Sequence, residues 1–120
     1  METYATPLDA AFHALADPTR RAVVSRLTRS PARVKELAAP FDMGLPAFLK
    51  HLRVLEDSGL IATEKVGRVR TCRVRIERLA EVESWLAAQR ALWLAMTDRL
   101  ADYVETQMPD DEKKDTGNDE

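Results

Sequence analysis

Residues 44–60 read GLPAFLKHLRVLEDSGL, and the rest of the chain is organised around this stretch. At about 100° per residue, residues 45–57 form a helix with one apolar side and one side that is small near its start and basic further on. Pro46 suits the first turn, where its missing N–H would be unbonded, and Gly59 ends the helix because glycine accepts a left-handed backbone. The predicted apolar face holds Leu45, Phe48, Leu52 and Leu55, the opposite side holds Pro46, Ala47, Lys50, Arg53 and Val54, and Leu49 and His51 lie on the flanks.

A helix of this kind fits two interpretations. A recognition helix must pack into a small core and also present small and cationic side chains to a groove of DNA. An ordinary amphipathic helix with solvated Lys50 and Arg53 has the same pattern. The segments on either side of the helix are therefore needed to distinguish between the two interpretations.

The segment before this helix predicts three shorter helices. The first covers residues 8–16 and ends at Asp17, because a residue before proline avoids the helical region. Asp17 then caps the second helix, Pro18 takes its first position, and this helix runs to about Thr28. After a turn at residues 30–31, the third helix covers residues 33–41, with Val34, Leu37, Ala38 and Phe41 on one face. A three-residue turn joins it to residues 45–57, so the pair predicts a helix-turn-helix.

The segment after Gly59 predicts a β-hairpin. Residues 60–66 and 69–76 are rich in β-branched residues and partly alternate, with Gly67 and Arg68 as the turn between them. The second strand divides into two faces, Val69, Thr71, Arg73 and Arg75 on one and Arg70, Cys72, Val74 and Ile76 on the other. Arg68 and Arg70 stand near the tip. A hairpin of this kind after a helix-turn-helix is a wing that can reach backbone phosphate or a minor groove.

The last predicted element is a long helix, at about residues 78–107. A heptad seam runs along it, widened by Trp85 and Leu92. The alternative is a helix that packs only on its own domain, but the compact part of the chain is too short to cover it, so a partner subunit is expected. The predicted dimer interface consists of Leu8 and Phe12 on the first helix and the seam residues Leu79, Val82, Leu86, Trp93, Met96, Leu100 and Tyr103, with polar Gln89 and Gln107 in the same seam.

Composition and charge narrow the class of protein. The chain has 120 residues and a net charge of -2, but residues 20–75 hold 13 Lys and Arg against 5 Asp and Glu, which is +8. A basic middle predicts an anion-binding surface. We expect a flexible leader at residues 1–7, one domain at residues 8–107 and a disordered acidic tail at residues 108–120. No apolar run is long enough to span a membrane and no signal pattern is present, so we expect a cytoplasmic protein.

The stretches FHALADPTRRAVVSRL, VKELAAPFDM, LPAFLKHLRVLEDSGLI and EKVGRVRTCRV together resemble the arsenical-resistance-repressor (ArsR) family of bacterial transcription regulators. The resemblance covers about residues 8–103. It implies a mainly α-helical winged helix-turn-helix with a small β-hairpin and N- and C-terminal dimerisation helices. It also implies a homodimer that binds a double-stranded operator near its own promoter and represses transcription. By position, the DNA-binding residues are Pro46, Ala47, Leu49, Lys50, His51, Arg53, Arg68 and Arg70.

The chain departs from the family pattern at two positions. Family members often have serine where Gly44 and Leu49 stand. Glycine is an acceptable N-cap, so Gly44 should cost little. Leu49 cannot donate to a phosphate, and it either contacts a thymine methyl group or widens the core contact.

The family's metal sites are not carried over. Residues 37–41, which read LAAPF, lack the cysteines of one site, and residues 80–108 contain no histidine for the other. His13 and His51 lie on different helices, whereas a metal site needs several converging ligands. We therefore expect no metal and no cofactor. Cys72, the one cysteine, is read as a small strand residue, with a redox thiol as the alternative.

Two other functions stay open. The same fold could carry a metal- or ligand-gated sensor, with a pocket for a small apolar molecule near Phe12, Trp85 and Trp93, although aromatic residues at helical spacing are more often core. It could also be a winged helix used only for protein contacts. An enzyme is not expected, because the chain has no glycine-rich phosphate loop, nucleophile–base pair or clustered carboxylates.

Overall fold

The computed structural model describes residues 6–107. In chain order, the elements are α1 (Pro7–Leu15), α2 (Pro18–Leu27), β1 (Ala32–Arg33), α3 (Val34–Ala38), α4 (Leu45–Asp57), β2 (Ile61–Val66), β3 (Val69–Val74) and α5 (Ile76–Gln107). The three strands form one antiparallel sheet in the order β1-β3-β2. This is a winged helix-turn-helix, mainly helical with a small hairpin, as predicted.

The helix boundaries follow the capping signals in the sequence. Thr6 caps α1, its Oγ1 accepting from the backbone N–H of Asp9 at 3.1 Å. Asp17 caps α2 through Oδ2, which accepts from the backbone N–H of Arg20 at 3.0 Å, and Pro18 takes the first helical position. The bounds of α4 are those predicted, and Gly59 follows it with a φ of 84°. Of the predicted leader at residues 1–7, residues 1–5 lie outside the described residues, while Thr6 caps α1 and Pro7 begins it. The predicted acidic tail at residues 108–120 also lies outside the described residues.

Contacts divide the chain into two compact units that meet between Glu83 and Ser84, inside α5. Within the first unit, α1, α2, α4 and the base of the sheet surround one hydrophobic core. Its largest fully buried side chains are Phe48, Leu55, Leu60, Ile61, Val23 and Cys72. In the part of the second unit that the structure describes, residues 84–107, the chain is a single run of helix.

Three predictions about these elements were wrong at their edges. Leu45 was placed on the buried face of α4 but is 54% exposed, because the core ends one turn further in, at Phe48. Ile76 was read as the end of a strand but begins α5 and is 62% exposed, since strand pairing stops at Val74 opposite Ile61. The third helix stops at Ala38, shortly before Pro40, which has no N–H to donate.

One element was missed. Residues 32–33 form strand β1, which pairs with β3 so that Ala32 lies opposite Cys72 and Arg33 opposite Thr71. A two-residue strand is too short to show alternation in the sequence, and only the fold brings it beside β3. Ala32 is buried there, and β1 covers part of the edge of β3.

Candidate nucleic-acid interface

α4 has one face that is buried in the core and an opposite face that is exposed. Phe48, Leu52 and Leu55 are buried, and the ring of Phe48 lies 5.5 Å from that of Phe41. This anchoring leaves the predicted DNA-binding residues Pro46, Ala47, Lys50 and Arg53 exposed on the other side. Lys50 and Arg53 have no hydrogen-bond or ion-pair partner within residues 6–107, so both cations are available to an anion. The helix begins at Leu45, and the N-cap before it is Gly44, which has an extended backbone and no side chain to make a cap bond.

His51 is held by contacts with Arg20 and Asp17 of the same chain and is not free on the surface. Its Nδ1 lies 3.0 Å from Nη1 of Arg20 and 3.8 Å from Oδ2 of Asp17, and its side chain is 24% exposed. Because a guanidinium has no acceptor, Nδ1 must accept this hydrogen bond, which places the proton of a neutral His51 on Nε2. The ring can therefore offer a donor only through Nε2.

Arg20, on α2, forms hydrogen bonds with residues of both α1 and α4. Its Nε donates to the carbonyl of Ala14 at 2.8 Å, and its Nη2 donates to the carbonyl of His13 at 3.2 Å. These bonds satisfy carbonyls at the end of α1, while Nη1 reaches His51 on α4. Partial burial opposes ionisation of Asp17, but the N–H of Arg20 and the nearby His51 and Arg20 side chains outweigh it, so the pKa of Asp17 is lowered from 3.8.

Leu49 lies at the edge of the interface. It is partly buried and packs against the hydrophobic core, so it widens the core contact, the second of the two roles considered for it. It also lines a groove between α4 and the wing, together with Arg53, Glu56, Asp57 and Arg70. Its remaining surface faces the side of the molecule on which Arg53 lies.

The wing places its two arginines differently. Gly67 turns the hairpin with a φ of 62°, and Arg68 beside it is exposed. Arg70 lies on the side of the hairpin that faces α4, where its Nη2 is 3.4 Å from Oε1 of Glu56. Oε2 of Glu56 accepts a hydrogen bond from Oγ1 of Thr63 at 2.7 Å. Glu56 thus links α4 to both strands of the wing.

The residues predicted for the dimer interface fall into two groups. Leu8, Phe12 and Leu79 are partly buried against the core of the first unit, and Val82 is buried in it. The other five side chains are between 50% and 64% exposed in the single chain: Leu86, Trp93, Met96, Leu100 and Tyr103. Trp85, which was considered for a ligand pocket, is also exposed, at 45%.

Cys72 is fully buried, and burial raises the pKa of its thiol although the nearby charge of Arg70 opposes the rise. A protonated, buried thiol is a poor nucleophile. Within residues 6–107, no three His, Cys, Asp or Glu side chains are grouped so that they could hold a metal ion. No helix in the same range is long and apolar enough to cross a membrane.

The comparisons with known proteins agree with this geometry. A family model described as a helix-turn-helix domain matches residues 15–64. The crystal structure of an ArsR family transcriptional regulator is 60% identical, with a TM-score of 0.71 over 73% of this chain and 97% of that one. The chain belongs to the ArsR family of transcriptional regulators. A second ArsR-like regulator, from Rhodococcus sp. RHA1, is 30% identical, with a TM-score of 0.66 over 84% of this chain and 92% of that one.

A curated relative of this ArsR-family chain is the HTH-type transcriptional regulator Rv2034 of Mycobacterium tuberculosis. The two are 45% identical over 67 residues, which is 56% of this chain and 62% of the mycobacterial protein. The match to the helix-turn-helix family model contains α2, α3 and α4 and ends within β2. The matched range therefore contains the whole of α4, the predicted recognition helix.

Sequence reasoning missed four residues of the interface in this ArsR-family chain. Asp17 was identified only as a helix cap, and Arg20, Glu56 and Thr63 were not singled out. One signal was available for Glu56, because it is an acid in a mostly basic stretch and its helical position faces the start of the wing. For Arg20 there was none, since its partners are 6 and 31 residues away.

Proposed function

We propose that the chain is a homodimeric, sequence-specific DNA-binding repressor, with α4 in the major groove. The observation that supports it most is the division of α4 into a buried face and an open face. Phe48, Leu52 and Leu55 hold the helix, while Pro46 and Ala47 let it approach the base edges closely. Lys50 and Arg53 supply unpaired cations for phosphates.

The flanks of α4 have more specific roles. His51 offers its Nε2–H as a donor whose direction is set by Arg20. The partly buried Leu49 keeps a small apolar surface that can contact a thymine methyl group. Base contacts of this kind carry sequence information, whereas the cations position the protein on the duplex.

The wing adds a second contact with the DNA. Arg68 stands exposed at the turn of the hairpin, where it can reach a phosphate or a minor groove. Arg70 is on the same hairpin, but Glu56 shares its charge. In this proposal Arg68 is the principal cation of the wing.

The dimer is supported by the apolar row on α5. Leu86, Trp93, Met96, Leu100 and Tyr103 follow heptad spacing and are all half-exposed or more. A two-fold dimer predicts a pseudo-palindromic operator with half-sites about one helical turn, or roughly 34 Å, apart. Family membership supports repression and action on DNA in the cytoplasm. We propose no enzymatic activity and no cofactor.

The test is fluorescence anisotropy of the purified protein on its own upstream DNA and on scrambled DNA, across a salt series. The upstream DNA should bind more tightly, and the affinity for both should fall steeply with salt. Lys50→Ala should weaken binding to both and reduce the log–log salt slope by about 0.9 per protomer. Arg90→Ala, on α5, removes the same charge outside α4 and the wing and serves as the control.

Two results would count against the proposal. Equal, salt-insensitive affinities for upstream and scrambled DNA would exclude a specific DNA-binding regulator and favour a winged helix used for protein contacts. If Lys50→Ala and Arg90→Ala behaved alike, DNA binding would have to use another surface than α4.

A further inference from the structure

We propose that Glu56 is a latch with two effects. It sets the position of the wing relative to the recognition helix α4, and it keeps the guanidinium of Arg70 away from DNA until the wing contacts its specific site. Glu56 acts through Thr63 and Arg70, so it is a positioning residue. This inference rests on the proposed function and adds a determinant of specificity to it.

The first support is the geometry of the carboxylate. One oxygen, Oε2, accepts from the hydroxyl of Thr63 on β2 at 2.7 Å. The other, Oε1, lies 3.4 Å from Nη2 of Arg70 on β3. A single side chain of α4 therefore contacts both strands of the wing.

The second support is that the outer part of the wing has no apolar contacts to hold it in place. Its base is held by the buried Ile61 and Cys72 and by the pairing of β1 with β3 at Cys72 and Thr71. Two backbone bonds add to this, from Leu60 N–H to the Leu55 carbonyl at 3.1 Å and from Arg75 N–H to the Leu60 carbonyl at 2.8 Å. Beyond Thr63, residues 64–70 are all exposed. Beyond the pairing with β1 the hairpin is two-stranded and has no apolar cover, so this part of it is held weakly in place. Glu56 is the side chain that can fix its angle to α4.

The third support is the unequal strength of the two bonds. The Thr63 bond is short and part-buried, whereas the Arg70 pair is longer and half-exposed on both sides. Exposed ion pairs contribute little and are easily exchanged. Thr63 thus holds Glu56, and Glu56 holds Arg70 only until a phosphate competes. On non-specific DNA the wing does not reach its specific contacts, so Arg70 stays paired with Glu56. It therefore releases no counterion from the DNA.

The decisive variant is Glu56→Gln, because glutamine can still accept from Thr63 but no longer neutralises Arg70. Non-specific DNA should bind more tightly, with a salt slope steeper by about 0.9 per protomer. The ratio of specific to non-specific affinity should fall by the factor by which the non-specific affinity rises. Adding Arg70→Ala to Glu56→Gln should restore the original slope, while Arg70→Ala alone should change the non-specific slope less than Arg68→Ala does.

Asp57→Asn is the matched control. It makes the same charge change one residue further along α4, on an exposed side chain that lines the same groove. If Asp57→Asn steepens the slope as much as Glu56→Gln, the effect is general electrostatics and the latch is overturned. The latch is also overturned if Arg70→Ala does not reverse Glu56→Gln.

A measurement without DNA separates this inference from the proposed function. Hydrogen exchange of the amides of residues 64–70 in the free protein should become several-fold faster in Glu56→Ala and Thr63→Val, but not in Asp57→Ala. Unchanged exchange in both variants would refute the latch even if the protein binds DNA. Faster exchange together with no DNA binding would keep the latch and reject the DNA-binding function.

Discussion

Residues 6–83 and residues 84–107 use apolar side chains in opposite ways. Every buried hydrophobic residue of the described chain lies in the first region, the last being Val82. In the second region the large apolar side chains are exposed: Trp85, Leu86, Leu92, Trp93, Leu94, Met96, Leu100, Tyr103 and Val104. Five of them, Leu86, Trp93, Met96, Leu100 and Tyr103, follow heptad spacing along the helix. The first region buries a core within the chain, although Leu45, Val66, Val69 and Ile76 stay exposed, whereas the second region buries no large apolar side chain in the single chain. We propose that a second copy covers the apolar side chains of the second region.

The largest expected effect is at the centre of the first region. Leu55 is fully buried in the core, so Leu55→Ala should lower the free energy of unfolding by about 2–5 kcal/mol, since it leaves a cavity that the core cannot fill. Urea unfolding followed by circular dichroism measures the loss. The loss should not depend on protein concentration. A loss below about 1 kcal/mol would mean that the two regions do not differ in the way described.

The intermediate effect is on association through the second region. Leu100→Ala should raise the dissociation constant of the dimer by at least about tenfold, because each of the two copies loses a buried leucine. Sedimentation at several concentrations measures the constant. Leu94→Ala is the control, since Leu94 has similar exposure but lies off the heptad seam. If both variants associate like the unmodified chain, α5 does not form the dimer interface.

The smallest expected effect is electrostatic and confined to the first region. The pKa of Asp17 is lowered from 3.8 in the folded protein, so its carboxylate contributes stability above about pH 3.8 that is lost as the pH falls through the folded pKa. Asp17→Asn keeps a capping side chain but removes the charge. The stability difference between the two proteins should be less than about 1 kcal/mol at pH 6 and should shrink below pH 4. A difference that stays constant down to pH 2.5 would contradict this assignment.

The sequence predicted the larger elements well because their signals are local. The bounds of α4, the cap at Asp17 and the hairpin turn at Gly67 each depend on residues within one or two turns of chain. The predictions failed where burial depends on distant residues. The helical pattern places Leu45 with Phe48, but only the position of the core decides that Phe48 is buried and Leu45 is not.

The candidate interface divides in the same way. Lys50, Arg53 and Arg68 could be named from the sequence, because their exposure follows from the face of a helix or the tip of a hairpin. The partners of the other residues could not be named. Arg20 meets His51 from 31 positions away, and Glu56 meets Arg70 from 14. Periodicity carries no information about pairs this far apart.

The sequence by itself therefore determined which residues form helices, where the helix-turn-helix lies and which family the chain resembles. Helix caps, turns and apolar periodicity act within a few residues, so they can be read without the fold. The tertiary structure alone decided that β1 pairs with β3, that His51 is held by Arg20 and that Glu56 joins α4 to the wing. These features depend on distances between segments that only the packing of the core sets.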